Sequence, residues 1–242
     1  MPRLAEREEN ILDFIIRDYV ESAVPVSSGR VFDAGLFKAS PATIRNAMLE
    51  LDDEGFLEQP HTSAGRVPTD KAYRYFVDNL MAYHEPARHE REIFDELARR
   101  ITKRHELLFE NFGKMMAEEL GLFASVANFG AKKRVRGFGF EELLREPEFE
   151  NHDLSVEFAR VVDHLDEAAR QYLESSSEEK PEVFIGEENP LKAARSFSTV
   201  AFRFSDGKIG KCVVFAMGPK RMDYERISSV LDFATRDIME RI

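Results

Sequence analysis

The chain has no tryptophan and a single cysteine, Cys212, in 242 residues. One thiol excludes an intramolecular disulfide and a cysteine-built metal cage. No apolar run approaches the ~18 residues of a membrane span. The opening "MPRLAEREEN" is charged at once and lacks the apolar stretch of a signal peptide. An intracellular, most simply cytoplasmic, location is therefore expected. Positive charge is also scarce: 34 Lys and Arg stand against 45 Asp and Glu, a formal net charge of −11. That balance argues against indiscriminate binding to nucleic acid. It does not exclude a specific binder, whose basic residues need only cluster on one face.

Catalytic patterns are missing too. His84 and His89 have Pro86 between them and do not form the helical His-Glu-x-x-His zinc pattern. "GFG" at 137–139 falls far short of a dinucleotide fingerprint, and Ser198 has no evident His–acid partner. No nucleophile, metal cluster or phosphate loop stands out, so neither an enzyme nor a cofactor is expected. "KKRVR" at 132–136 reads as a solvated basic run.

What is present begins with helices. Ile11, Leu12, Ile15, Ile16, Tyr19 and Val20 recur at three and four and predict an amphipathic helix over 6–22. Pro25 breaks it. Ser27 or Ser28 can cap a short second helix to about Phe32. After a turn at Gly35, Ser40 before Pro41 predicts the start of a third helix, running to about Glu54, with Ile44, Met48 and Leu51 inward. Gly55 ends it. Phe56–Gln59 and Arg66–Val67 are expected to pair around the loop "QPHTSAGRVPTD" (59–70). Thr69 caps a fourth helix with Tyr73, Phe76, Val77 and Leu80. Three helices, a hairpin and a further helix form the winged helix-turn-helix pattern. A small helical domain touching only protein fits the same pattern.

Residues 84–90 read as a link, and a long helix is expected from about Arg91 to Leu120, striped by Phe94, Leu97, Ile101, Leu108, Phe112, Met115 and Leu120. "FASVAN" (123–128) reads as a strand and Glu157–Leu173 as a helix. "EVFIG", "FSTVAFRF" and "GKCVVFAM" read as strands, the last two joined by a tight turn at Asp206-Gly207, before a final helix at about Asp223–Arg241. The expected class is α+β. The expected domains are 1–83 for DNA binding, 84–122 for the linker and long helix, and 123–242 for the C-terminal, dimerising part.

Candidate chemistry lies in the first part. The third helix offers Ser40, Thr43, Arg45, Asn46 and Glu50 on its polar side. Arg45 has the fork that reads guanine, and Asn46 the donor and acceptor that read adenine. Ser40, Thr43 and the helix N-terminus suit phosphate oxygens. The loop offers His61, Thr62, Ser63 and Arg66 for a backbone or minor-groove contact, with Ala64 and Gly65 permitting close approach. Lys71 and Arg74 could extend the phosphate track. An ordinary solvated helix face and a hairpin tip remain the plainer readings.

Residues 40–80, "SPATIRNAMLELDDEGFLEQPHTSAGRVPTDKAYRYFVDNL", closely resemble the heat-inducible transcription repressors of the HrcA family. "ATIRN", "LE", "PHTSAGR", "PT" and "YR" fall at that family's spacing, and "YVESAVPVSS" fits the preceding segment. "GFGFEELLREPEFE" (137–150), "IGEEN" (185–189), Ser198 and "GPKRMDY" (218–224) resemble its later blocks. The resemblance implies a winged-helix repressor acting as a homodimer on an inverted-repeat operator, the CIRCE element, upstream of chaperone operons. It implies a GAF-like domain interrupted by an inserted dimerising domain, and dependence on a GroEL-type chaperonin. Ser40, Thr43, Arg45 and Asn46 would form the recognition helix, and His61, Thr62, Ser63 and Arg66 the wing. A regulator whose GAF-like half binds a small molecule is the alternative.

The chain departs from the pattern in three ways. It is shorter than usual members, with the gap between "FASVAN" and "VRGFGF", so a reduced GAF-like domain is expected. Ala23, Ser27 and Ala72 stand where glycine is common, and Gly29 stands where a basic residue is common.

Overall fold

The computed structural model describes residues 3–61, 64–100, 105–130, 133–206 and 210–241, which divide into two compact units, Met1–Met81 and Ala82–Ile242. Within helices and strands, the side chains of 94–95, 97–100, 105–108, 206 and 237–241 also lie outside the description.

In the first unit, α1 (Glu6–Ser22) buries Ile11, Leu12, Ile15 and Ile16, the inner part of the predicted stripe. α2 (Ser28–Asp33) starts where Ser27 Oγ accepts a hydrogen bond from the Arg30 amide at 3.1 Å. α3 (Pro41–Asp53) starts where Ser40 Oγ accepts from the Thr43 amide at 3.2 Å. Each cap satisfies an amide that the first turn leaves unpaired. α3 buries Ile44, Ala47, Met48 and Leu51, and Gly55 follows in the left-handed region at φ 77°. Strand β1 (Leu57–Glu58) pairs antiparallel with β2 (Val67–Pro68). The expected hairpin is thus shifted by a residue: Glu58 faces Val67, and Arg66 instead bridges to Val26. Thr69 caps α4 (Asp70–Tyr75), which runs on into a π-helical turn, Phe76–Leu80.

The second unit takes in residues 84–122, read above as link and long helix. It holds α5 (Arg88–Arg100) and α6 (His105–Leu120), with 101–104, and so Ile101 of the expected stripe, outside the described residues. The helix begins three residues earlier than expected. The sheet is wholly antiparallel, in the order β4 (Arg134–Phe138), β3 (Phe123–Asn128), β7 (Gly210–Gly218), β6 (Ser198–Asp206), β5 (Glu182–Ile185). α6 packs on β3 and β4, and α10 (Tyr224–Arg241) packs on β6, against one face. On the other face lie α8 (His152–Asp163) and α9 (Leu165–Ser175), where Phe158 meets Phe123 and Tyr172 meets Phe215. A short α7 (Phe140–Leu143) and a 3-10 turn (Pro147–Glu150) precede α8.

Two expectations change here. The helix read as Glu157–Leu173 is two helices, broken at His164, whose backbone leaves the helical region at φ −110° and ψ 28°. The basic run is in part strand β4: Asn128 pairs with Arg134 and Ala124 with Phe138, so β3 and β4 form an antiparallel pair. The turn expected at Asp206-Gly207 falls at residues 207–209, outside the described set.

Candidate nucleic-acid interface

The outward face of α3 carries Ala42, Arg45, Asn46 and Leu49, all exposed, while Ile44, Ala47, Met48 and Leu51 hold the helix to the core. The two sets interleave at three and four, so one helix both packs and presents. Ser40 and Thr43 sit at its start, their hydroxyls 2.9 Å apart. Neither Arg45 nor Asn46 has a side-chain hydrogen bond or ion pair among the described residues.

That openness is selective. Arg17, Arg30 and Arg74 pair with Asp13, Asp18 and Asp78 at 2.9, 2.7 and 3.2 Å. Arg66 Nε lies 2.8 Å from Asp52 Oδ2, with the arginine side chain only 16% exposed. Lys71 Nζ donates to the Glu54 carbonyl at 2.5 Å and lies 4.0 Å from the centre of the Phe56 ring. There an ammonium meets the negative end of α3, a favourable place for a cation. Among the predicted cations, then, Arg66, Lys71 and Arg74 are engaged inside the unit, and Arg45 is not. Lys38, exposed just before α3, is likewise unpaired among the described residues. The acidic unit therefore leaves positive charge open on and just before α3.

The loop after β1 is braced at its base. Val26 and Arg66 exchange both backbone hydrogen bonds, at 2.9 and 2.8 Å. Gln59 Nε2 donates to the Ala64 carbonyl at 2.9 Å, and the Ala64 amide donates to the His61 carbonyl at 2.9 Å. A side chain on Gly65 would come within 2.5 Å of the Val26 backbone. The close approach expected of Gly65 is thus used inside the unit. His61 is exposed, and Thr62 and Ser63 lie outside the described residues. Between the loop, α2 and α3 runs a cleft of about 520 Å³, lined among others by Ser28, Arg45, Leu49, Gln59, Ala64 and Arg66.

Asp52 is expected from the sequence only as an acid at the far end of α3; its pairing with Arg66, the brace from Gln59 and the exposure of Leu49 are not. Asp52 and Gln59 act on partners across a turn or a hairpin, and no periodicity reports such pairs. Leu49 falls on the outer side of the apolar stripe, where its exposure depends on how α3 is rotated.

Elsewhere, His89, Glu90 and Glu119 place ligand atoms within 4.8 Å of one another. Arg226 already spans the two carboxylates, at 2.8 Å from Glu90 and 2.9 Å from Glu119. A metal ion would have to displace that guanidinium. No described helix is long and apolar enough to cross a membrane.

The HrcA protein C-terminal domain model matches residues 76–227. This chain belongs to the HrcA family. A heat-inducible transcription repressor HrcA of Geobacter sulfurreducens is 43% identical over 129 residues, covering 53% of this chain and 36% of that protein. One from Chlorobium limicola is 45% identical over 134 residues, covering 54% and 33%. These matches span about a third of those relatives' length. The HrcA of Halalkalibacterium halodurans is 26% identical over 336 residues, covering 97% of this chain and 96% of that one. That alignment is longer than the chain itself, so it opens gaps in it. A solved structure titled only as a hypothetical protein at 2.2 Å resolution covers 99% of this chain and 98% of its own, with TM-score 0.76 and 19% identity, and so shares the fold.

The later blocks that resemble HrcA proteins meet inside the second unit. Asn189 of "IGEEN" donates to the Gly186 and Phe197 carbonyls at 3.0 and 2.9 Å and accepts from the Tyr172 hydroxyl at 2.7 Å. Thr199 Oγ1 lies 2.9 Å from that hydroxyl. Burial pushes the Tyr172 phenol well above its usual range, so it stays a neutral donor. Tyr224 of "GPKRMDY" places its hydroxyl 2.8 Å from Ser198 Oγ. Arg221 meets Glu146 and Glu148 of the "GFGFEELLREPEFE" block, each at 2.5 Å. Burial lowers the Arg221 pKa, but the bond to Glu148 and the two carboxylate charges outweigh it and hold the group above its usual value. In this HrcA chain the polar groups named here bond one another and so tie the blocks together inside the second unit.

Proposed function

We propose that this chain is a sequence-specific DNA-binding transcriptional repressor of heat-shock (chaperone) genes, acting as a homodimer on an inverted-repeat operator of the CIRCE type. The observation that carries the reading is Arg45 with Asn46: exposed, adjacent and unpaired among the described residues, on the outer face of a helix capped by Ser40. The first unit acts as a winged helix-turn-helix. Arg45 reads guanine and Asn46 adenine in the major groove. Ser40, Thr43 and the start of α3 take phosphate oxygens, and His61, Thr62 and Ser63 lie along the backbone as the wing tip. Arg66, Lys71 and Arg74 keep that surface in shape through their internal partners. The second unit is the GAF-like, dimerising half, and two copies set the half-sites on one face of the duplex, whole turns of ~10.5 bp apart. Repression is by occlusion of the promoter. A GroEL-type chaperonin as the partner that maintains the active form rests on the family resemblance alone.

The test is binding of the purified chain to a duplex carrying the inverted repeat, against a half-site and a scrambled duplex, over a salt series. Two chains per full repeat, with much weaker binding to the other two, is expected. Equal, weak and steeply salt-dependent binding to all three would leave only the non-specific phosphate term and sink the reading.

A further inference from the structure

We infer that Leu49 reads a thymine methyl group and so helps set which operator the protein accepts; the inference rests on the DNA-reading role proposed for α3. Leu49 is 45% exposed although it stands in the middle of a helix whose other large aliphatic side chains, Ile44, Met48 and Leu51, are buried. It lies one turn beyond Arg45 on the same outward stripe, and both line the cleft beside the 59–66 loop. A single exposed leucine needs no explanation on most surfaces. Here its neighbours in the stripe are a guanidinium and an amide with no partner among the described residues, so the whole stripe is built for contact. The major groove offers one apolar group on a base edge, the C5 methyl of thymine, and an aliphatic side chain is its natural partner.

The spacing places that thymine. Four residues of α-helix advance ~6 Å along the axis, and successive base pairs are ~3.4 Å apart. A helix lying along the groove covers no more base pairs than that ratio, so the thymine lies within about two base pairs of the guanine held by Arg45.

The experiment uses the full chain and a duplex that it enriches from a random-sequence pool. Each guanine is replaced in turn by 7-deazaguanine to find the base that Arg45 holds, and each thymine by 2′-deoxyuridine, which lacks only the methyl. One thymine in each half-site, within about two positions of that guanine, should weaken wild-type binding about fourfold when its methyl is removed, the value of one buried methyl group. Leu49→Ala should bind the thymine and uracil duplexes alike, and Leu49→Met should restore the preference. The inference is overturned if no thymine is sensitive, or if Leu49→Ala keeps the wild-type preference. Arg45→Ala separates the two levels. If it relaxes sequence choice while Leu49→Ala leaves the methyl effect intact, DNA reading stands and the role of Leu49 falls. If no duplex is enriched, both fall.

Discussion

Asp52 Oδ2 and Arg66 Nε, 2.8 Å apart, join the last turn of α3 to the end of the 59–66 loop. The pair is partly shielded, with side-chain exposures of 29% and 16%. Its effect on stability is small, about 1 kcal/mol, because water still screens it. Its position matters more than its strength, because it ties the end of the loop to α3. Asp52→Ala and Arg66→Ala should each weaken operator binding by a similar factor, and the double variant should be no worse than either single one. The slope of log affinity against log salt should stay as in the wild type. A slope lower by about one in Arg66→Ala alone would instead make Arg66 a phosphate contact.

Arg45 is expected to behave differently. Arg45→Ala should cost ~1–3 kcal/mol on the preferred operator and flatten the preference at one base position. Competition binding against single-base variants measures this. Unchanged affinity on the preferred operator would remove Arg45 from the reading face.

Gly65 is pressed on the backbone of Pro25 and Val26, where an added Cβ would come within 2.5 Å of the Val26 carbonyl carbon and oxygen. Backbone cannot swing aside as a side chain can. Gly65→Ala should destabilise the first unit by about 1–3 kcal/mol, the usual cost of overpacking, and weaken the paired Val26–Arg66 amides. Amide exchange at those two residues is the direct readout, and wild-type protection would show that the loop accommodates the methyl.

Ala23 caps α1 in the left-handed region at φ 54° and ψ 16°, the one non-glycine residue with positive φ among those described. An L-residue pays ~1–2 kcal/mol there, and glycine gives back part of that gain in the unfolded chain. Ala23→Gly should therefore stabilise the protein by about 0.5–1 kcal/mol. Urea unfolding measures it, and an unchanged or lowered midpoint would refute the strain. Ser27 carries no such penalty: it is extended at φ −88° and caps α2.

Asn189 satisfies two backbone carbonyls and the Tyr172 hydroxyl in the core of the second unit. Asn189→Ala leaves buried polar groups without partners and should cost about 3 kcal/mol. Tyr172→Phe, which removes one hydroxyl, should cost nearer ~1 kcal/mol. Equal losses for the two would mean that the network is not centred on Asn189.

Local physics made much of this protein legible from its sequence. The caps at Ser27, Ser40 and Thr69, the stripe of α1 and the ends of α3 depend on residues within one or two turns, and the structure has them. Strands β3, β5, β6 and β7 were readable for the same reason: their apolar runs stand out without any partner. The exposed Arg45–Asn46 pair was readable because the buried stripe of α3 dictates what faces outward. Strand β4 was not, because its exposed arginines and glycine read as a basic loop until β3 pairs with them. Nor was the break at His164, where apolar spacing continues across two helices. Sequence could place Arg66 on a loop and Asp52 on a helix, but only tertiary structure could bring them together. Arg17 and Arg74 pair at the i,i+4 spacing a sequence can show, but Arg66 and Asp52 meet across a turn and a hairpin, beyond any local spacing rule.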